Sequence, residues 1–397
     1  MQQEWIVVRG MGSLSGLGST EAEVAASYAT GKSCFTSLKG NQNLAVSPVS
    51  ASSEEMLTAL LAEKPKYASL DRSVLLAIAA ARQAVHQAGW DTNEHSIGIN
   101  LGSSRGATGL FEQFHADFLN HPEQRLSPMA SPSTTLGNLA SWVAQDLAVQ
   151  GPLISHSVTC STALQAVANG VAWLKAGMAK RFLVGGTEAP LTDFTLAQMR
   201  AIGIYSHIAA NDQPCRPLNG QQNTFVLGEG AAIFALERMT GAEISLLPTH
   251  QRIIVAGVGM GLEQTPSKTG VSKDGQHFQR SMREALQQAQ LSPEQIDALV
   301  LHAPGTKAGD AAEVAAVSSV FGEHQPSLFT NKNQIGHTLG ASGALSLSLA
   351  LALLQKQSIS KRLQLSYASS APLAPTAVMV NAAGFGGNSA SVILRTL

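Results

Sequence analysis

Three side chains of types that do nucleophilic or acid-base chemistry fall where the chain is expected to turn. Cys160 follows Ile154-Ser155-His156-Ser157-Val158-Thr159, which reads as a strand, and precedes a run of Ala, Leu, Val and Gly that reads as a helix. That puts a thiol on a strand-to-helix elbow. The positive end of a helix dipole favours thiolate over thiol, so the sulfur is expected to be a nucleophile rather than a small buried hydrophobe. His302 ends the strand Ala298-Leu299-Val300-Leu301, and His337 follows Gly336 at the opening of a second helix. Either histidine alone would be read equally well as a hydrogen-bonded core residue; two at strand ends favour a site. At a helix N-terminus an imidazole is expected to stay neutral, able to donate one N–H to a developing oxyanion. A sulfur nucleophile with two such donors suits thioester chemistry that passes through an enolate, whereas a hydrolase needs one histidine base and an orienting carboxylate. The tail runs from Val378-Met379-Val380-Asn381 into Gly384-Phe385-Gly386-Gly387 and returns along residues 390–394. It is either an ordinary hairpin or an oxyanion hole of backbone N–H groups with Phe385 as its bulky side chain. Cys34 and Cys215 suggest nothing beyond packing.

The elements that must position these groups recur within the chain. Ile6-Val7-Val8-Arg9-Gly10-Met11-Gly12 matches Ile253-Ile254-Val255-Ala256-Gly257-Val258-Gly259, a short apolar strand running into glycines. Ala84-Val85-His86-Gln87-Ala88 before a strand at 97–101 parallels Ala285-Leu286-Gln287-Gln288-Ala289 before a strand at 296–301. Cys160 leads a helix expected over 161–176 and His337 one over 338–355, both nearly free of charge and so buried on almost all sides. Three matches in the same order imply two similar halves, 1–250 carrying the nucleophile and 251–397 carrying both histidines. Alternating strands and helices imply an α/β fold of two mostly parallel sheets, with the two apolar helices between them.

Composition narrows the setting. With 397 residues, 44% apolar and 13% charged, the chain can fill a large core. Lys and Arg (26) nearly balance Asp and Glu (27), so no overall field draws it to nucleic acid or an anionic membrane. Three cysteines and a start without a basic flank or long apolar run suggest a reduced, cytoplasmic protein. The most apolar stretch, 343–354, is too short to span a membrane and reads as a buried helix.

In these motifs the chain resembles the beta-ketoacyl-acyl-carrier-protein synthases of the thiolase-like superfamily, nearly end to end. Val158-Thr159-Cys160-Ser161 is similar to the family's nucleophile motif, and Gly185-Gly186-Thr187-Glu188 to the Gly-Gly-x-Glu that follows it. His302 through Thr306, Asp310 and Glu313 resembles the first histidine motif, Lys332 through Gly336-His337-Thr338 the second, and Asn381 through Gly387 the closing glycine motif. The resemblance implies a five-layer αβαβα sandwich and a ping-pong reaction. Cys160 would take an acyl chain from a phosphopantetheine arm, and malonyl on a second arm would lose CO2 to give an enolate that attacks it. His302 and His337 would stabilise the enolate, Lys332 and Glu313 would form an ion pair beside them, and Thr306 would touch the arm. Phe385, flanked by Gly384 and Gly386, would gate the pocket, its N–H joining that of Cys160 in the oxyanion hole. No metal or cofactor bound by the chain itself is implied, since the arm belongs to an acyl carrier protein. The expected partner is a second synthase subunit, identical or chain-length-factor-like.

Some positions depart from the pattern. Ala303-Pro304 stands where the family has Gly-Thr, Gly309 replaces an asparagine, Ala383 replaces a phenylalanine, and 218–224 keeps little of the family sequence. These changes point to specialised fatty-acid, polyketide or polyene synthesis rather than housekeeping elongation. A non-catalytic chain-length-factor-like subunit should lack the nucleophile, and a degradative thiolase should have a cysteine near the end of the chain. An acyltransferase or hydrolase would use Cys160 without releasing CO2. Because acyl carriers are acidic, Lys64, Lys66 and Arg72, near an Asp71 expected to face the pocket, form a candidate docking segment; the alternative is a solvated loop.

Overall fold

A computed structural model describes residues 3–38, 41–92, 96–264, 270–366 and 375–397. Among the described residues the larger of two sheets has eleven strands and repeats one order twice. From one edge run Leu153–His156, Ile97–Gly102, Arg181–Glu188, Gly230–Thr240 and Glu4–Leu14; then come Ile253–Leu262, Asn388–Thr396, Ala377–Gly384, Ala298–Val300 and Ser327–Phe329, with Gln364–Ser366 at the far edge. The matched sequences 6–12 and 253–259 are the two strands at the seam, which meet through one pair, Val7 opposite Ile254.

Antiparallel pairs dominate the middle of each half, contrary to the mostly parallel sheets expected. Glu4–Leu14 runs antiparallel to Gly230–Thr240, and Ile253–Leu262 to Asn388–Thr396; parallel pairing is kept at the outer strands, where Ile97–Gly102 lies between Leu153–His156 and Arg181–Glu188. For one such pair, Ala377–Gly384 with Asn388–Thr396, the physical reason is connection length. A tight glycine turn after Gly384 can only return the chain antiparallel, whereas the outer strands are joined by helical crossovers.

Helix Arg72–Ala88 covers the outer face of the first half and Gln276–Ala289 that of the second, while Thr162–Lys175 and Ser342–Leu354 lie between them in the largest buried cluster. This is the α-β-α-β-α layering of the thiolase-like fold. All thirteen residues of Ser342–Leu354 are buried, which explains a composition without charge or periodicity. Helix Arg72–Ala88 crosses the strand Glu4–Leu14 so closely that a Cβ at Gly12 would lie 2.1 Å from the Ala80 carbonyl oxygen; a Cβ at Gly259 would meet that of Ser281 at 2.0 Å. The repeated glycines are therefore contact points between helix and sheet. No helix among the described residues is long and apolar enough to cross a membrane.

Candidate active site

Cys160, His302 and His337, which lie far apart in sequence, line one cavity of ≈ 360 Å³ together with Thr306, Gly384 and Phe385. Cys160 comes from the first half and the imidazoles from the second. Its elbow is strained: Thr159, a β-branched residue, has φ +49°. The elbow is tied to the glycine turn, because Asn388 accepts from Ser161 Oγ (2.6 Å) and donates to Thr159 Oγ1 (3.2 Å) and to the Phe385 carbonyl (2.9 Å). Gly384 must be glycine, since a Cβ there would lie 1.8 Å from Thr159 Oγ1 and 2.8 Å from the Cys160 nitrogen. Phe385 keeps 38% of its surface exposed at the cavity mouth, and Gly386 takes φ +90° beside it.

The two imidazoles are 5.1 Å apart between ring centres, with planes at 83°. His337 Nδ1 accepts the N–H of Leu339 at 3.0 Å, so the ring proton must sit on Nε2. Its backbone is held on both sides, by Val226 O (2.7 Å) and Gly228 N (3.1 Å). His302 is placed through its backbone instead. Glu313 accepts from the N–H groups of His302 (2.9 Å) and Ala303 (2.7 Å) and from Asn381 Nδ2 (3.2 Å). Asp310 likewise takes the N–H groups of Leu218, Gly305 and Thr306, fixing the loop that carries Thr306 into the cavity.

Three expectations need correction. Lys332 and Glu313 do not form a direct ion pair: the ammonium donates to Ser346 Oγ at 3.1 Å, because the carboxylate is already committed to backbone N–H groups. Cys160 is not poised as a thiolate. Burial, then the Glu188 carboxylate, pushes its thiol up to about 12 against the pull of Lys332. Nor does His337 cap its helix, which begins five residues later at Ser342. Its pKa still lies well below the usual value, because burial and then Lys332 disfavour a second cation; His302 is lowered by burial and then by His337. Lys332 itself is brought down to about 8 by burial, opposed by Glu313, and burial pushes Glu313 up to about 7. At neutral pH the site therefore presents a thiol and two neutral imidazoles.

The expected docking residues lie apart from this cavity. Lys64 pairs with Asp146 at 2.8 Å, and Arg72 is clamped between Glu229 and Glu54. Lys66 is exposed, with its ammonium 5.8 Å from the centre of the Tyr67 ring. Asp71 does not face the pocket: it is 4% exposed and caps helix Arg72–Ala88 by accepting from Ser73 N and Oγ. Glu188 was legible only as part of a motif. It is fully buried and accepts from Ser103, Ser104 and Arg105 in one half and from the Gly340 N–H, beside His337, in the other. His277 and Phe278 also line the cavity, and their place in an unremarkable amphipathic helix gave no signal of it.

The model of the beta-ketoacyl synthase N-terminal domain matches residues 3–242, and that of the C-terminal domain matches residues 253–366. The chain belongs to the beta-ketoacyl synthase family. It is 30% identical to a 3-oxoacyl-[acyl-carrier-protein] synthase 2 of Staphylococcus aureus (strain COL) over 71% of this chain and 69% of that one. It is 29% identical to nodulation protein E of Rhizobium meliloti (strain 1021) over 88% and 86%. The ishigamide ketosynthase/chain length factor shares the fold, with a TM-score of 0.84 over 100% of both chains at 23% identity. As a beta-ketoacyl synthase the chain is a carbon-carbon bond-forming acyltransferase.

Proposed function

We propose that this chain condenses an acyl group held on Cys160 with malonyl-acyl carrier protein, with loss of CO2. The observation that carries the reading is the convergence of the thiol with two neutral imidazoles, one of them fixed as an Nε2–H donor by the Leu339 N–H. In the first step the Cys160 sulfur attacks the carrier thioester. A new C–S bond forms, the bond to the pantetheine sulfur breaks, and the thiol proton ends on that departing sulfur. In the second, the bond between the malonyl carboxylate carbon and C2 breaks and its electron pair becomes an enolate. His337 Nε2–H and His302 lower the energy of the enolate oxygen. C2 then attacks the Cys160 thioester, the N–H groups of Cys160 and Phe385 hold the tetrahedral oxyanion, and the sulfur leaves with its bonding pair and takes one proton from solvent.

Lys332 supplies fixed positive charge behind the imidazoles, and Glu313 holds the His302 loop. Thr306 contacts the pantetheine arm, which the carrier brings, and Phe385 gates the pocket at its exposed edge. Lys66 is the docking residue left for an acidic carrier once Lys64 and Arg72 are counted as internally neutralised. Residues 1–250 and 251–397 act as two similar halves. A second synthase subunit, identical or chain-length-factor-like, would cover the free edge of Leu153–His156, where Leu153 is 42% exposed. The setting is the cytoplasm.

Incubation with acyl carriers of assorted length and unsaturation, read by intact mass, tests the reaction. Cys160 should gain the acyl mass, and malonyl carrier should then release CO2 and yield a chain two carbons longer; acylation elsewhere, or no CO2, overturns the reading. The departures at Ala303, Pro304, Gly309 and Ala383 favour specialised over housekeeping synthesis. A clear preference for saturated primers over polyunsaturated ones would reverse that assignment.

A further inference from the structure

The loop that begins at His302 climbs from the floor of the reaction cavity to its rim. His302 is buried, Thr306 half-buried and Lys307 exposed, and all three line the cavity. Among the described residues that line it, Lys307 is the one lysine or arginine, and none is a carboxylate. Nothing among the described residues pairs with the Lys307 ammonium, whereas Lys64 is held by Asp146 and Lys180 by Glu243. Its main chain is braced. The Lys307 N–H donates to Asn223 Oδ1 (3.0 Å), Asn223 Nδ2 donates in turn to the Gly203 carbonyl (3.2 Å), and Asp310 accepts from the N–H groups of Gly305 and Thr306. An uncommitted cation thus stands on a fixed part of the rim.

The arm that delivers each thioester carries its sulfur at one end and a phosphodiester at the other. With the thioester beside Cys160 and the imidazoles, the phosphate end would stand at the mouth, where Lys307 is. The wall between offers the arm little. Pro304 stands where the family has a threonine, and proline has neither a hydroxyl nor an N–H to donate. Thr306 keeps its hydroxyl out of any helix cap, and Gly309 leaves the space before it open, since a Cβ there would lie 2.6 Å from Thr306 Oγ1. Beyond that hydroxyl, the strongest contact this wall can make is a charge-assisted one from the ammonium to an anionic oxygen.

We propose that Lys307 binds the phosphate of the phosphopantetheine arm at the cavity mouth, and so makes the chain select arms that carry a phosphate over arms that lack one. The proposal rests on the condensation reading above, from which the arm comes. Because the ammonium is exposed, the contact is modest in strength and weakens as salt screens it. It acts on binding of the arm and not on the chemical steps, which take place deeper in the cavity.

The test compares one arm with and without its phosphate. In ligand-observed NMR titrations at low salt, pantetheine methyl phosphate, a diester as on the carrier, should bind the wild-type protein about three- to tenfold more tightly than pantetheine. Added salt should close that gap. Lys307→Ala should erase it, and Lys307→Arg, which keeps the charge, should retain most of it. The malonyl thioesters of the two arms should show the same ratio in KM for CO2 release rather than in kcat, and Lys307→Ala should again remove it. Equal binding of both arms by the wild-type protein, or a gap that survives in Lys307→Ala, overturns the proposal. So does a loss confined to malonyl-acyl carrier protein, because the ammonium would then be meeting an acidic side chain of the carrier. If the wild-type protein shows the binding gap but releases no CO2 from any malonyl thioester, the condensation reading falls and the assignment of Lys307 stands.

Discussion

The helices Thr162–Lys175 and Ser342–Leu354 hold equivalent places in the two halves, yet Cys160 leads one and His337 precedes the other. The loops after the equivalent strands Ile97–Gly102 and Ala298–Val300 differ in the same way. In the first half, Ser103, Ser104 and Arg105 spend their hydrogen bonds on Glu188, and that loop has no reacting group to offer. In the second, Glu313 holds His302 and Ala303 through their backbone N–H groups alone, so the His302 ring is free to face the cavity. The repeated frame decides where groups stand. Which side chains are left uncommitted decides what they do there.

The largest effects should come from removing the two helix-leading groups, and they should differ in kind. Cys160→Ala deletes the atom on which the acyl chain is carried, so malonyl-dependent elongation should fall at least about a thousandfold. CO2 release from malonyl carrier should fall far less, because no step of decarboxylation uses the sulfur. His337→Ala removes a donor fixed toward the enolate and should cost about 10²–10³ in kcat for CO2 release as well as for elongation. Measuring both products for both variants breaks the comparison if the patterns are exchanged or identical.

Glu188→Ala probes the saturated loop. It leaves the N–H groups of Ser104, Arg105 and Gly340 without their acceptor, in a region where Glu188 is fully buried. At roughly 1–3 kcal/mol for each buried donor left unpaired, less the relief of removing a buried carboxylate, stability should fall by at least about 2 kcal/mol. Thermal unfolding should show this as a drop in Tm of several degrees, with Glu188→Gln losing less because its amide oxygen keeps part of the acceptor role. An unchanged Tm would mean that the link between Ser104 and Gly340 does not hold the halves together.

Much of the site was legible because its residues sit at element ends with distinctive neighbours. Cys160 and His302 each follow or end an apolar strand-like run, His337 stands ahead of a long apolar one, and the matches 6–12 with 253–259 led directly to the strands at the seam. Strand direction was less accessible. Apolar strands buried on both faces look alike in parallel and antiparallel sheets, so the antiparallel centre of each half was missed. The Cys160 elbow was found but its protonation was misjudged, since a helix dipole is a local feature of sequence and burial of the thiol is a property of the whole fold. The same limit hid His277 and Phe278, which helix Gln276–Ala289 brings to the cavity that His302 lines. Lys64 and Arg72 read as a basic patch because their partners Asp146 and Glu229 are distant in sequence.

The effect that is small at any one pH and spread over the widest range concerns the buried cation that both imidazoles share. Lys332 titrates at about 8 in the folded protein against 10.5 for the ordinary side chain, chiefly through burial. Between those values the unfolded chain holds a proton that the native one lacks, so stability should rise with pH across the window, by at most about 1.4 kcal/mol per pH unit. Below pH 8 both states are protonated and the cost of the buried ammonium is present in full. Lys332→Met should remove that slope, and chemical denaturation of both proteins from pH 7 to 10.5 gives the difference directly. If the two curves run parallel, Lys332 is equally protonated folded and unfolded, and its charge is better solvated than its 1% exposure implies. A better-solvated ammonium would also act more weakly on His337, for which it is the second cause of neutrality after burial. The same titration therefore checks why the second half of the molecule can hold two uncharged imidazoles opposite a thiol.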